Sequence, residues 1–216
     1  MVILIDNGHG CNVVGKQSPL LEGTGLKIWD GLTENGRFKE WKYTRVVAEE
    51  IVATLKSMGY DARLVVTEKT DVPLGTRVNR VNEVCKKYGA GNVLLVSVHS
   101  NAIGDSSQWM AGKGWEAYTT KGTTRSDKLA EFLYKRADKY LKDRKVRKDT
   151  SDGDSDKEAN FYIIKNVNCP AVLTENFFYD NKDDLEYLAS DEGLLTVERI
   201  HVEGIIDFIN YLGKGK

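Results

Sequence analysis

Val93-Leu-Leu-Val-Ser-Val-His99-Ser-Asn-Ala102 follows Gly89 and Gly91 and opens with an unbroken apolar, largely β-branched run. A run of that kind suits a strand covered on both faces, as in an α/β sheet, better than a strand with one solvated side. It ends abruptly in His99, Ser100 and Asn101. In open α/β sheets, functional side chains collect where strands emerge at their carboxyl ends. Two other stretches repeat the pattern. Val2-Ile-Leu-Ile-Asp6 runs into Asn7-Gly-His9-Gly10, and Ala171-Val-Leu-Thr174, after Pro170, runs into Glu175. The sequence therefore predicts three buried strands that each deliver one polar side chain to a common edge.

The chain has 216 residues, 41% of them hydrophobic, which suits one globular domain with a sizeable core. A formal net charge of −1 argues against a nucleic-acid binder, which carries a basic surplus. The three cysteines, Cys11, Cys85 and Cys169, are odd in number and widely spaced, so no disulfide framework is implied and they read as reduced thiols. No apolar run approaches the ~20 residues of a membrane span. Strand-like sequence begins at Val2 with no charged leader before it, so the expectation is a chain made in the cytoplasm without a recognisable signal peptide.

Residues 11–39 form a long, glycine-containing interval broken by Pro19, with enough apolar members (Leu20, Leu21, Leu26, Ile28, Trp29, Leu32) to predict a folded flap walling a groove. Gly10 to Gln17 nearly matches a phosphate-binding loop. Gln17, however, stands where a Ser or Thr should hold magnesium, and Ser18-Pro19 follows where a helix should start. Glu40–Met58 reads as an amphipathic helix with Tyr43, Val47, Ile51, Leu55 and Met58 inward and Gly59 ending it. A strand over Asp61–Val66 and a helix from Leu74 to Tyr88 precede the central strand. After it come a strand over Gly114–Thr120 and a helix over Ser126–Leu141 with Ser126 as its cap. Asp152, Asp154 and Asp156 alternate like the start of a calcium loop, but Lys157 and Ile163 replace its required Gly and Glu, leaving a solvated loop. Strands over Phe161–Ile164 and Ala171–Thr174, a helix near Asp183–Leu188 and a long helix over Leu194–Leu212 close the chain. The fold class is α/β: a single domain with a twisted, mostly parallel sheet of about six strands flanked by helices.

His9 and His99 occupy matched strand ends, and Glu40 falls on the inward face of the first turn of its helix. Two histidines and a glutamate with a vacant fourth position are a known catalytic zinc arrangement, although ligands from distant segments make no short motif. Taken alone, Glu40 also fits a first-turn acid favoured by the helix dipole. Glu175, at the end of a buried strand, is either partnered by a basic side chain or poised for proton transfer. His201, mid-helix between Ile200 and Val202, lacks a ligand set and reads as a core-edge histidine.

Five segments then fall in register with one family. They are Asp6-Asn7-Gly8-His9-Gly10, Glu40 opening a helix, Arg77 with Asn82 five residues on, Ser97 to Ala102, and Pro170 to Phe178. In this order they resemble the zinc-dependent N-acetylmuramoyl-L-alanine amidases of bacterial autolysins and phage endolysins. The resemblance implies a catalytic domain over residues 1–213, with one Zn2+ held by His9, Glu40 and His99 and with Glu175 as the catalytic acid–base. Arg77 and Asn101 would support the site. It further implies a peptidoglycan or muropeptide substrate and action on the cell wall. The chain departs from the family in having Glu68 after Thr67, where Arg is frequent, and in the length of the 11–39 interval.

Overall fold

In the computed structural model, which describes residues 1–151 and 153–214, Val93–Asn101 is the central strand β5 of the sheet. β1 (Val2–Asn7) pairs parallel with it on one side and β8 (Ala171–Phe178) parallel on the other, while β4 (Asp61–Leu64) extends the sheet beyond β1. β6 (Trp115–Thr119) lies antiparallel to β8, and the two-residue β7 (Lys157–Glu158) follows β6 at the far edge. The six strands run in the order β4-β1-β5-β8-β6-β7, four of them parallel.

Both faces are covered, as the unbroken apolar strands require. Ile3, Ile5, Leu94, Val96, Val98 and Val172 pack on α1 (Glu40–Ser57), α3 (Arg125–Tyr140) and α6 (Asp191–Lys214). Val2, Leu4, Val93, Leu95, Ala171 and Leu173 pack on α2 (Leu74–Tyr88) and the short α4 (Tyr162–Lys165). A further helix, α5 (Lys182–Leu188), joins β8 to α6. No described helix is long and apolar enough to cross a membrane.

Three local expectations change. Phe161–Ile164 is not a strand. The segment closes one helical turn through Ile164 N–H and Lys165 N–H to Phe161 O, burying Ile163 and Ile164 while Tyr162 stays exposed. A four-residue apolar run is ambiguous between helix and strand, and here burial of adjacent residues selects the helix. The sixth strand is Lys157–Glu158 instead. The cap of α3 is Thr124, whose Oγ1 accepts the Ser126 N–H while the Asp127 carboxylate accepts the Thr124 N–H. Ser126 Oγ accepts the Ala171 N–H at the start of β8. Met58 lies just past the end of α1 and is exposed, whereas Tyr43, Val47, Ile51 and Leu55 are buried as expected.

The 11–39 interval is folded. It holds a 3-10 turn (Asp30–Leu32) and a hairpin of β2 (Thr33–Glu34) with β3 (Arg37–Phe38), anchored by buried Leu32 and Phe38. Its glycine-and-lysine stretch forms no helix and no phosphate loop. In the acidic stretch, Asp156 is buried and accepts Thr119 Oγ1 at 2.6 Å; Asp152 lies outside the described residues.

Candidate metal centre and active site

The carboxyl ends of β1, β5 and β8 meet, and each residue of the β1 turn has a physical task. Arg77, buried on α2, donates from Nη1 to Asp6 Oδ1 at 2.8 Å and to Asn7 O at 2.6 Å, and from Nε to Val72 O at 2.8 Å. Ser97 Oγ donates to the other oxygen of Asp6 at 2.7 Å, tying β1 to β5. Asn7 Nδ2 donates to Val66 O. A Cβ on Gly8 would sit 2.3 Å from Cε1 of the His99 ring, and one on Gly10 would overlap the Asp71 backbone nitrogen at 1.9 Å. Both positions therefore require glycine because other atoms occupy the space. Between them His9 adopts φ 59°, a left-handed conformation that costs a non-glycine residue roughly 1 kcal/mol or more. It is held there by Arg45 Nη1, which donates to His9 O at 2.9 Å.

His9, Glu40 and His99 converge, with one ligand atom from each within 4.8 Å of the others. The two imidazoles meet edge to face at 5.1 Å. Glu40 begins α1 and is buried, with Oε1 accepting the Ser100 N–H at 3.1 Å and lying 3.2 Å from His99 Nδ1. Its Oε2 is buried and accepts no hydrogen bond, and His9 Nε2 lies 3.5 Å from it. Burial pushes the Glu40 carboxyl up, but the His99 hydrogen bond and the two imidazoles overcome it and hold Glu40 below the usual carboxylate range. Burial pulls His9 down to about 4, so this ring is neutral and carries a free lone pair. Burial pulls His99 the same way, but Glu40 raises it on balance.

An ionised, buried carboxylate with an orphaned oxygen beside two imidazoles is a pocket that wants a cation. The donor set, two nitrogens and one carboxylate, suits zinc with an open coordination position. The three residues that the sequence singled out as ligands are thus brought together in a group that could hold a metal ion. His201 is not among them. It is buried in α6, with Nδ1 donating to Val197 O at 2.7 Å and Nε2 accepting from Thr174 Oγ1 at 2.8 Å.

Glu175 pairs in register with His99 across the β5–β8 ladder and with Glu116 across β6. The two carboxylates live in opposite environments. Burial pushes Glu116 up, yet it ends below its ordinary value because Lys157 at 2.7 Å, Arg147 at 2.6 Å and Tyr118 at 2.8 Å donate to it; Asn101 donates as well at 2.7 Å. Glu175 Oε2 is buried with no hydrogen bond and no ion pair among the described residues. Burial, reinforced by the Glu40 charge against the pull of His99, raises Glu175 to about 8. Neighbouring carboxylates driven apart in this way mark a division between structural and proton-transferring roles.

The cleft in front of this pair has a volume of about 210 Å³ and is lined by Lys16, Glu40, His99, Asn101, Glu175 and Tyr179. The 11–39 interval thus contributes Val14 to Lys16 to the cleft wall, whereas Trp29 lines a separate groove between α1 and α6. Trp109 is partly buried and packs against the core. Sequence reading passed over Arg45, Glu116 and the role of Asn176. Asn176 Nδ2 donates to His99 O at 2.9 Å while its Oδ1 accepts Trp115 Nε1 at 2.8 Å, fixing the backbone of His99 from β8.

The profile of the N-acetylmuramoyl-L-alanine amidase family matches residues 3–207. The chain belongs to the N-acetylmuramoyl-L-alanine amidase family. This amidase-family chain is 31% identical over 217 residues to the endolysin of Bacillus phage SPP1, covering 97% of the chain and 66% of the endolysin. It is 28% identical over 214 residues to the N-acetylmuramoyl-L-alanine amidase CwlM of Bacillus licheniformis, covering 96% and 68%. The chain therefore spans about two thirds of the length of these two curated relatives. Among solved structures, an N-acetylmuramoyl-L-alanine amidase from Clostridium difficile 630 shares the fold with a TM-score of 0.73 at 23% identity, over 97% of this chain and 96% of that one. AmiC2 of Nostoc punctiforme does so at 0.70 and 22%, over 97% of each chain.

Proposed function

We propose that residues 1–213 form a zinc-dependent N-acetylmuramoyl-L-alanine amidase. It hydrolyses the amide between the lactyl group of N-acetylmuramic acid and L-alanine in peptidoglycan, and so acts at the cell wall. The observation that carries this reading is the His9–Glu40–His99 group, with Glu40 buried, and the unpaired Glu175 in the cleft that Glu40 and His99 line. Membership of the family and the names of the relatives support the substrate class. His9, Glu40 and His99 would hold the zinc, which when bound supplies a positive charge that polarises a carbonyl and makes water more acidic.

The chain's own residues do the rest. Glu175, lacking any fixed partner, takes a proton from the attacking water and delivers it to the departing alanine nitrogen. Its elevated pKa suits a group that must both accept and release a proton near neutrality. Glu116, tied to Arg147 and Lys157, stays ionised and holds Asn101 at the cleft edge. Asn176 and Ser100 keep His99 and Glu40 in place before any ligand arrives, which reduces the reorganisation needed at the site.

Mass spectrometry of purified peptidoglycan digested with the zinc-loaded protein tests the proposal. The expected products are stem peptides with a free alanine α-amine and glycan strands bearing free lactyl carboxylates. Peptides cut internally with the lactyl–alanine bond intact would make the protein a peptidase, and no cleavage at all would leave it a binding module; either overturns the reading.

A further inference from the structure

Two of the three cysteines, far apart in sequence, are neighbours in space. Cys85 sits in the last turn of α2, and Cys169 immediately precedes Pro170 at the entry to β8. Both are buried in the apolar layer between α2, α4 and the sheet, with each thiol in the other's surroundings. Cys11 is exposed in the β1 turn and takes no part.

The seam that brings the thiols together is fixed independently of them. Asn82 lies one helical turn before Cys85, on the same face of α2. Its Nδ2 donates to Asn166 O at 3.0 Å, and its Oδ1 accepts the Asn168 N–H at 2.9 Å. The segment that ends in Cys169 is thereby clamped to α2 alongside Cys85. Cys169 also lines a surface cleft of about 410 Å³ with Ala90, Arg125, Ile164 and Pro170, the side from which a small reagent would approach.

We propose that Cys85 and Cys169 are a redox-modification site, which a small-molecule disulfide such as oxidised glutathione converts to an intramolecular disulfide stapling α2 to β8. The Cys169 thiolate attacks one glutathione sulfur, forming a mixed disulfide and expelling a glutathione thiolate that takes up the proton Cys169 lost. The Cys85 thiolate then attacks the Cys169 sulfur, forming the protein disulfide and expelling the second glutathione, which takes up the Cys85 proton. Two electrons pass from the protein to one glutathione disulfide, giving two glutathione molecules. The thiols persist under reducing conditions and join once the protein meets an oxidising medium. The staple closes the long loop between residues 85 and 169, the kind of closure that restricts the unfolded chain most. It lies at the amino end of β8, whereas Glu175 stands near the other end of that strand, so the cleft is untouched.

The test uses the Cys11→Ser chain, which keeps only the buried pair, equilibrated with glutathione disulfide near pH 8.5 so that slow, buried thiols reach equilibrium. Non-reducing peptide mapping is expected to find the Cys85 and Cys169 peptides joined, with the intact mass lower by two hydrogens. Tm should rise by about 5–15 °C, and dithiothreitol should reverse the rise. Adding Cys85→Ala should abolish both changes. Because that variant removes a buried side chain, a thiol count on the Cys11→Ser chain alone also decides the matter. Two free thiols after equilibration, or a lasting mixed disulfide at Cys169, would overturn the proposal.

Discussion

Gly8→Ala is a one-methyl change that separates a metal pocket from ordinary packing. Gly8 is not in the left-handed region, so alanine is not barred by the backbone. The new Cβ would lie 2.3, 2.4 and 2.9 Å from Cε1, Nδ1 and Nε2 of His99. Ordinary carbon contacts begin near 3.5 Å, so the ring or the strand must retreat by about 1 Å. Neither gives readily. Gly8 N–H donates to Val98 O at 3.0 Å and Gly8 O accepts Thr44 Oγ1 at 2.8 Å, while His99 is held through Glu40 and Asn176. Overpacking of this kind costs about 1–3 kcal/mol of stability. Displacing one ligand by about 1 Å should weaken metal binding by about 10–100-fold or more, the scale seen when the support of a ligand is lost. Chelator competition on wild-type and variant protein measures this directly. Gly75→Ala in α2 is the control: its Cβ meets only Tyr162 Oη at 4.0 Å, and a helical alanine should add about 0.5–1 kcal/mol. A Gly8→Ala protein with wild-type zinc affinity and unchanged Tm would refute the assignment of His99 as a ligand.

Arg77→Met should cost about 3–5 kcal/mol in urea unfolding, because it strands the buried Asp6 carboxylate with Ser97 as its remaining partner; a loss below about 1 kcal/mol would contradict the role given to this pair. Thr124→Ala should cost about 1 kcal/mol through loss of the α3 cap, with Ser126→Ala acting through β8 instead of the helix end. His201, lowered by burial from 6.5 to about 4, binds fewer protons folded than unfolded between those two values. Its stabilising effect is therefore complete above pH 6.5 and is lost as pH falls towards 4, by about 3 kcal/mol in all. In His201→Gln the urea midpoint should fall less between pH 7 and pH 4.5 than in wild type, and equal slopes would refute the assignment.

The strands were legible because each is buried on both faces, so β1, β5 and β8 appear as unbroken apolar runs whose ends are obvious. Those ends and helical phase in α1 made His9, His99 and Glu40 candidates, and the family resemblance joined them into one ligand set. What stayed hidden was set by tertiary contact. Phe161–Ile164 carries too few residues for a period to emerge, and its turn depends on the seam it fills. Gly8 and Gly10 gave no sign of which atoms exclude a Cβ, since His99 and Asp71 arrive from distant segments. Glu116 looks like any polar residue alternating in a strand, and only the register against Glu175 reveals two adjacent carboxylates with opposite surroundings. Trp29 was grouped with the groove by proximity in sequence, yet the hairpin carries it to the α1–α6 side.

The central claim is that the His9–Glu40–His99 group holds zinc and that Glu175 moves the proton. It is tested most directly by Glu175→Gln, with zinc content, Tm and turnover on peptidoglycan measured on one protein batch. The substitution keeps the side chain's size but removes its capacity to accept a proton. The account predicts zinc near one per chain, a Tm near wild type and turnover lower by about 10²–10⁴-fold. Near-normal turnover with zinc retained would contradict it, as would loss of the zinc together with the activity.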